Sequence, residues 1–131
     1  VAGRHHPLLA RSDVTLADTL DFPWVAPPRT TPAGSYLFDT LRIQDRPQTP
    51  VRVVSSSLVL LRKLLLSGDF ITIISLHQIG FEYEAGILLP LPIALAGNSR
   101  PIGLTFRAGW RATRTQARFL EHVRQASAAR Y

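Results

Sequence analysis

Three short polar stretches carry the residue types that could do chemistry: Arg29-Thr30-Thr31, Ser55-Ser56-Ser57, and Ser75 with His77 and Gln78. Each follows an apolar or β-branched run and precedes a helical pattern. Arg supplies a permanent cation with a planar fork of donors, hydroxyls both donate and accept, and His and Gln add further hydrogen-bonding groups. If the preceding runs are parallel strands of an open sheet, all three stretches lie beyond strand carboxyl ends, where such sheets bind ligands. Each would also present a helix N-terminus with unsatisfied N–H groups and a positive dipole end. Such an edge suits an anionic or hydroxyl-rich small molecule. Taken singly, each junction is more simply read as hydroxyls capping a helix. The coincidence of three, one bearing Arg29, points to a shared ligand edge.

Other reactive side chains point away from catalysis. His5-His6 lies near the start of the chain and is expected to be solvent-exposed. His77 has no second ligand at helical or hairpin spacing, which argues against zinc. His122 is expected on the surface of the last helix. Glu82 and Glu84 are two apart and cannot share a helix face. There is no G-x-S-x-G elbow, no G-x-x-x-x-G-K-[ST] phosphate loop and no H-E-x-x-H. With no Cys, disulfides and thiolate metal sites are excluded. These residues predict a non-enzymatic protein with no cofactor and no metal.

Strands and helices in alternation must position the three stretches. Thr15 and Asp18 form a capping box for a short helix, Thr15–Leu20. Trp24-Val25-Ala26 is a buried strand stopped by Pro27-Pro28. Thr31 caps a helix that has Pro32 in its first turn and runs to about Gln44, with Tyr36, Leu37, Leu41 and Ile43 facing in. After the loop Arg46–Pro50, the β-branched run Val51–Val54 is a strand. The serines then cap the helix Leu58–Ser67, which Gly68 is expected to end with a positive φ. Phe70–Ile74 is a strand, followed by a short helix to Ala85 closed by Gly86. Ile87–Leu91 and Ile102–Phe106 are further strands. Thr113 and Gln116 form a capping box for a last helix to about Ala126. This alternation predicts an α/β fold with a sheet at least partly parallel.

Composition bounds the function. At 131 residues, 46% hydrophobic and 18% charged, the chain can bury a core. No apolar run reaches the roughly 20 residues of a membrane span. The longest, around Leu58–Leu66, is broken by Arg62 and Lys63, and no signal peptide is evident. The net charge of +6 is uneven. Residues 1–99 balance, whereas residues 100–131 hold Arg100, Arg107, Arg111, Arg114, Arg118, Arg124 and Arg130 against Glu121. Arg111, Arg114 and Arg118 form one stripe, opposite Ala112, Gln116, Phe119, Leu120, Val123 and Ala126. No aromatics interleave with that stripe and no helix-turn-helix precedes it, so it is read as a solvated amphipathic helix. Basic residues are nearly all Arg, as in a GC-rich bacterium. Met is absent, including at position 1, so the chain is expected to be part of something longer.

Taken in order, these segments resemble the effector-binding domain of LysR-type bacterial transcriptional regulators. His6-Pro7-Leu8-Leu9 resembles the H-P-L-A segment where that domain crosses between subdomains. Leu16-Ala17-Asp18-Thr19-Leu20 with Phe22-Pro23-Trp24-Val25 resembles L-x-D-L…P-W-I. Gly68 to Leu88 resembles G-x-G-I-x-x-L-P…G-x-L, and Arg100-Pro101-Ile102-Gly103-Leu104-Thr105 resembles the strand after it. The likeness covers essentially the whole chain. The L-L-R-K-L-L-L helix and R-P-I-G-L-T are more similar to a subgroup tied to sugar-uptake genes. Phe70 and Ser75 stand where the pattern has Gly and Pro, which alters the loop that commonly contributes to the cleft.

The resemblance implies a three-layer α/β/α, type 2 periplasmic-binding-protein-like subdomain with a mixed, mostly parallel sheet. Residues 1–9 would be the crossing segment from subdomain I, 10–99 subdomain II, and 100–131 the return strand and C-terminal helix of subdomain I. By position, Arg29, Thr30, Thr31, Ser75 and His77 would line the cleft. Ser55, Ser56, Ser57 and Gln78 are nominated by the strand-end argument. The expected partner is a small-molecule effector: a sugar, a sugar acid or another small anion. DNA would be bound only through an N-terminal domain absent from this sequence. A cytoplasmic homo-oligomer without membrane association is implied, in which this chain alone binds effector weakly. The rival readings are half of a periplasmic-type solute-binding protein and a stand-alone basic nucleic-acid-binding module.

Overall fold

The computed structural model describes residues 1–42, 48–97 and 103–128. They fall into two compact units, residues 1–95 and 96–131. The first unit is built on a sheet. Strand β1 is Ala2–Gly3, β2 is Trp24–Ala26, β3 is Val51–Val54 and β4 is Leu88–Leu89. β2 and β3 are parallel, β1 and β4 antiparallel. Ile71 joins the two pairs, bridging in parallel to Trp24 and antiparallel to Ala2. The order is therefore β3, β2, Ile71, β1, β4, and every segment except β1 runs one way.

The expected strands Trp24–Ala26 and Val51–Val54 are present at those bounds. Phe70–Ile74 pairs only at Ile71, and Ile87–Leu91 is reduced to Leu88–Leu89. The connection predicted at residues 1–9 contains β1, whose two small residues carry no β-propensity signal. The expected strand Ile102–Phe106 is not one: Gly103–Phe106 are outside any strand, and Ile102 lies outside the described residues. An apolar extended run becomes a strand only where a neighbouring edge accepts its hydrogen bonds.

Side chains alternate across the sheet, as strand geometry requires. Trp24, Ala26 and Ile71 join Ala2, Leu37 and Leu41 in one buried cluster. Val25 joins Leu61, Leu65, Ile79 and Leu88 in the other. Helix α1, Pro32–Thr40, thus supplies one cluster and α2, Leu58–Ser67, the other. The i, i+4 pairs Leu37/Leu41 and Leu61/Leu65 are the inward stripes of these helices. The predicted continuation of α1 through Ile43 to Gln44 lies outside the described residues. Gly3 lets β1 approach α2, since a Cβ there would overlap the Leu65 carbonyl oxygen.

Caps fix the ends of the helices. Thr31 Oγ1 accepts from Gly34 N at 3.1 Å and donates to the Pro28 carbonyl at 2.8 Å. Ser57 Oγ accepts from Leu60 N at 3.3 Å. Gly68 has φ −175°, extended backbone, so α2 does not end in the expected left-handed glycine. The predicted helix at Thr15–Leu20 is a 3-10 turn, Ala17–Asp21. The segment up to Ala85 is a 3-10 turn, Leu76–Ile79, followed by α3, Gly80–Glu84. Gly86 closes it at φ 65°.

In the second unit, α4 spans Arg114–Ala128. Its capping box forms as the sequence predicts: Thr113 N donates to Gln116 Oε1 at 2.9 Å, and Gln116 N to Thr113 Oγ1 at 3.3 Å. Phe106 and Trp110 stack with ring centroids 4.7 Å apart. Arg111, Arg114, Arg118 and His122 are exposed, and so is Phe119 on the opposite side.

Candidate functional site

The strand directions decide where the polar stretches lie. β2, β3 and the Ile71 segment run in parallel. Their carboxyl ends therefore share one edge of the sheet. Arg29-Thr30-Thr31 follows β2, Ser55-Ser56-Ser57 follows β3, and Ser75, His77 and Gln78 follow the Ile71 segment. A ladder hydrogen bond from Ser55 N to the Ala26 carbonyl, 2.9 Å, joins the first two junctions directly.

Each junction spends part of its polarity on local structure. Thr31 and Ser57 are helix caps, as above. Ser55 Oγ accepts from Ser57 N at 3.1 Å and shapes the turn. Ser75 caps the 3-10 turn through a 3.3 Å bond from His77 N, and its hydroxyl lies 3.4 Å from His77 Nδ1. Arg29, Thr30, Ser56, Ser57, Ser75, His77 and Gln78 are exposed, and Thr31 and Ser55 half-buried. The capping roles leave the hydroxyls able to make further bonds, since each has one donor and two acceptor sites.

Two residues that the sequence reading did not nominate hold this edge in place. The Arg29 guanidinium lies 5.7 Å from the centroid of the Phe38 ring, a cation–π arrangement that orients it beside the N-terminus of α1. Arg62 donates from Nη2 to the Gln78 carbonyl at 2.6 Å, and its Nε is 2.7 Å from Glu82 Oε1. It ties α2, which starts at Ser57, to the turn that starts at Ser75. The signal for Arg62 was in the sequence: a cation interrupting an otherwise leucine-rich run needs a partner.

The sequence reading also misplaced His6. It is 4% exposed. Its ring lies 4.5 Å from that of Phe22, and Nδ1 accepts from Leu8 N at 3.2 Å. Burial lowers the imidazole pKa from its ordinary value, against the Asp69 carbonyl and carboxylate, which raise it. Among the described residues, no group of three His, Asp or Glu side chains is placed to hold a metal ion. No helix among them is long and apolar enough to cross a membrane.

The family model for the LysR substrate binding domain matches residues 1–128. The HTH-type transcriptional regulator GalR of Pseudomonas putida is 35% identical over 109 residues, which cover 83% of this chain and 27% of that protein. The HTH-type transcriptional regulator PcaQ of Agrobacterium fabrum is 28% identical over 122 residues, 93% of this chain and 39% of that protein. PcaQ of Rhizobium radiobacter matches to the same extent. The chain thus spans less than two-fifths of the length of these relatives. No solved structure matches it. An α/β unit whose polar turns gather at strand carboxyl ends, matched almost end to end by one family model, leaves a plain conclusion: the chain belongs to the LysR substrate binding domain family.

Proposed function

We propose that the chain is the effector-sensing part of a LysR-type transcriptional regulator, and that it acts by binding, not by catalysis. Residues 10–99 form subdomain II, a three-layer, type 2 periplasmic-binding-protein-like unit. Residues 1–9 cross from subdomain I and residues 100–131 return to it. The effector is a sugar, sugar acid or other small anion. It lies along Arg29, Thr30, Thr31, Ser55, Ser56, Ser57, Ser75, His77 and Gln78. The observation that supports this reading is the parallel direction of β2, β3 and the single-bridge Ile71 segment, after each of which one polar turn follows.

The mechanism is differential affinity. An effector that favours one arrangement of the subdomains shifts a pre-existing equilibrium by the difference in its two binding free energies. In a cytoplasmic homo-oligomer, that shift alters how separate N-terminal domains meet DNA. An effector held between two subdomains meets only one wall in this chain, so binding here is weak.

The test is an NMR titration of the 131-residue chain with hexoses, their aldonic acids and small mono- and dicarboxylates. One class is expected to move the amides of all three turns together, with millimolar affinity, and Arg29→Ala is expected to abolish the response to an acid. Perturbation confined to one turn, or to residues outside the three, would show that the hydroxyls serve only as caps. Micromolar binding would refute the single-wall geometry.

A further inference from the structure

We propose that His6 is a proton-sensitive latch, holding the 3-10 turn after β1 closed over the core only while its imidazole is neutral. The argument starts from the hydrogen bond that Nδ1 accepts from Leu8 N, 3.2 Å long and buried. An acceptor nitrogen carries no proton, so neutral His6 has its hydrogen on Nε2. Adding a second proton places it on Nδ1, facing the Leu8 N–H. Acceptor becomes donor, and the cap of the turn Pro7–Ala10 is lost.

Burial works against the charged form, and the Asp69 carbonyl and carboxylate offset it only in part. His6 is 4% exposed, its ring is against Phe22, and Nε2 is buried without a well-formed hydrogen bond. Among the side-chain charges, the Asp69 carboxylate acts on it and favours the proton. The other charges on adjoining segments are engaged elsewhere. Arg11 pairs with Asp13 and Asp18, and the Arg4 guanidinium, exposed to solvent, bonds to His5. What the latch holds is not peripheral. Leu8 is a core residue in the cluster that contains Trp24 and Ile71. The turn is tied back to β1 by a 2.9 Å bond from His6 N to the Gly3 carbonyl.

The direction of the effect follows from linkage. Folding disfavours the protonated form, so the latch is fully engaged above the ordinary imidazole value of 6.5. Its contribution is lost as pH falls from there through the lowered folded value.

The experiment is an NMR titration of the 131-residue chain from about pH 8 to about pH 5, following all four imidazoles and the exchange protection of the Leu8 amide. His6 is expected to show the Nε2–H tautomer and to titrate below the ordinary imidazole value of 6.5. Leu8 protection is expected to fall by about tenfold or more over the same range. In His6→Asn, whose side-chain oxygen can accept from Leu8 N but does not titrate, protection is expected to stay level. Should that variant not fold, the wild-type titration decides alone. His6 titrating at or above 6.5, an Nδ1–H tautomer, or equal loss of Leu8 protection in wild type and His6→Asn would each overturn the latch. None of these readouts requires an effector.

Discussion

Asp18 shows how a few local bonds set the chemistry of one side chain. Its Oδ2 accepts from the Thr15 hydroxyl and from Thr15 N at 2.8 Å, while Oδ1 accepts from Arg11 Nη1 at 2.9 Å. Thr15's hydroxyl, then its N–H, then Arg11 pull the carboxyl pKa down from 3.8 to about 2. All three favour the charged form, so the depression is a stability statement with a definite sign. The contribution of Asp18 is complete above 3.8 and lost as pH falls from there through about 2. Carbon-detected NMR is expected to find Asp18 titrating near the bottom of that window, and Thr15→Ala to bring it back towards the ordinary value. A midpoint unmoved in Thr15→Ala would assign the depression to Arg11 instead. The Thr-x-x-Asp spacing alone made this pair legible. His6 was not legible, because its burial depends on Phe22, sixteen residues away, and no local pattern announces that contact.

Among the elements, those whose cues are local were readable, and those defined by a distant partner were not. Thr31 before Pro32 and the serines before Leu58 announce helix starts, because a cap is a bond within four residues. Val51–Val54 announces itself by β-branching. β1 does not, because Ala2 and Gly3 become strand only by pairing with Leu88 and Leu89. The run through Phe106 failed the opposite way, with strand-like residues and no strand among those described. The candidate edge was legible to the same extent: its hydroxyls and Arg29 stand in local patterns, whereas Phe38 and Arg62 reach it through the tertiary fold. Glycine makes the non-local part testable. In Gly3→Ala, the new methyl meets the Leu65 carbonyl oxygen, and β1 and α2 must separate. Urea unfolding is expected to show a loss of about 1–3 kcal/mol, the usual cost of overpacking. Gly80 has helical φ and ψ and nothing within 4 Å of a new Cβ. Gly80→Ala is therefore expected to be neutral or to stabilise by about 0.5–1 kcal/mol. Equal losses at the two sites would mean that β1 does not press against α2.

At the scale of the whole molecule, apolar burial and net charge separate along the chain. The buried apolar residues described run from Ala2 to Leu91, and α4 contributes none. Charge divides the other way. Residues 1–95 hold eight basic and eight acidic side chains, and residues 96–131 hold seven arginines and one glutamate, which leaves the whole +6 there. Attraction to a polyanion scales with the cations that can neutralise phosphates and weakens steeply with salt. Stability follows buried apolar area. Removing residues 96–131 should therefore separate two properties usually lost together when a chain is cut. Cooperative urea unfolding is expected to persist, because the buried apolar residues described lie between Ala2 and Leu91. Retention on a phosphate-bearing matrix at low salt is expected to disappear. A shortened chain that still binds the matrix would place the polyanion contact on the neutral sheet unit. One that no longer unfolds cooperatively would show that the core of residues 1–95 is not complete in itself. Nucleic-acid binding by the full chain that survives neutralising Arg111, which precedes α4, and Arg114 and Arg118 on it would remove these exposed arginines as its cause.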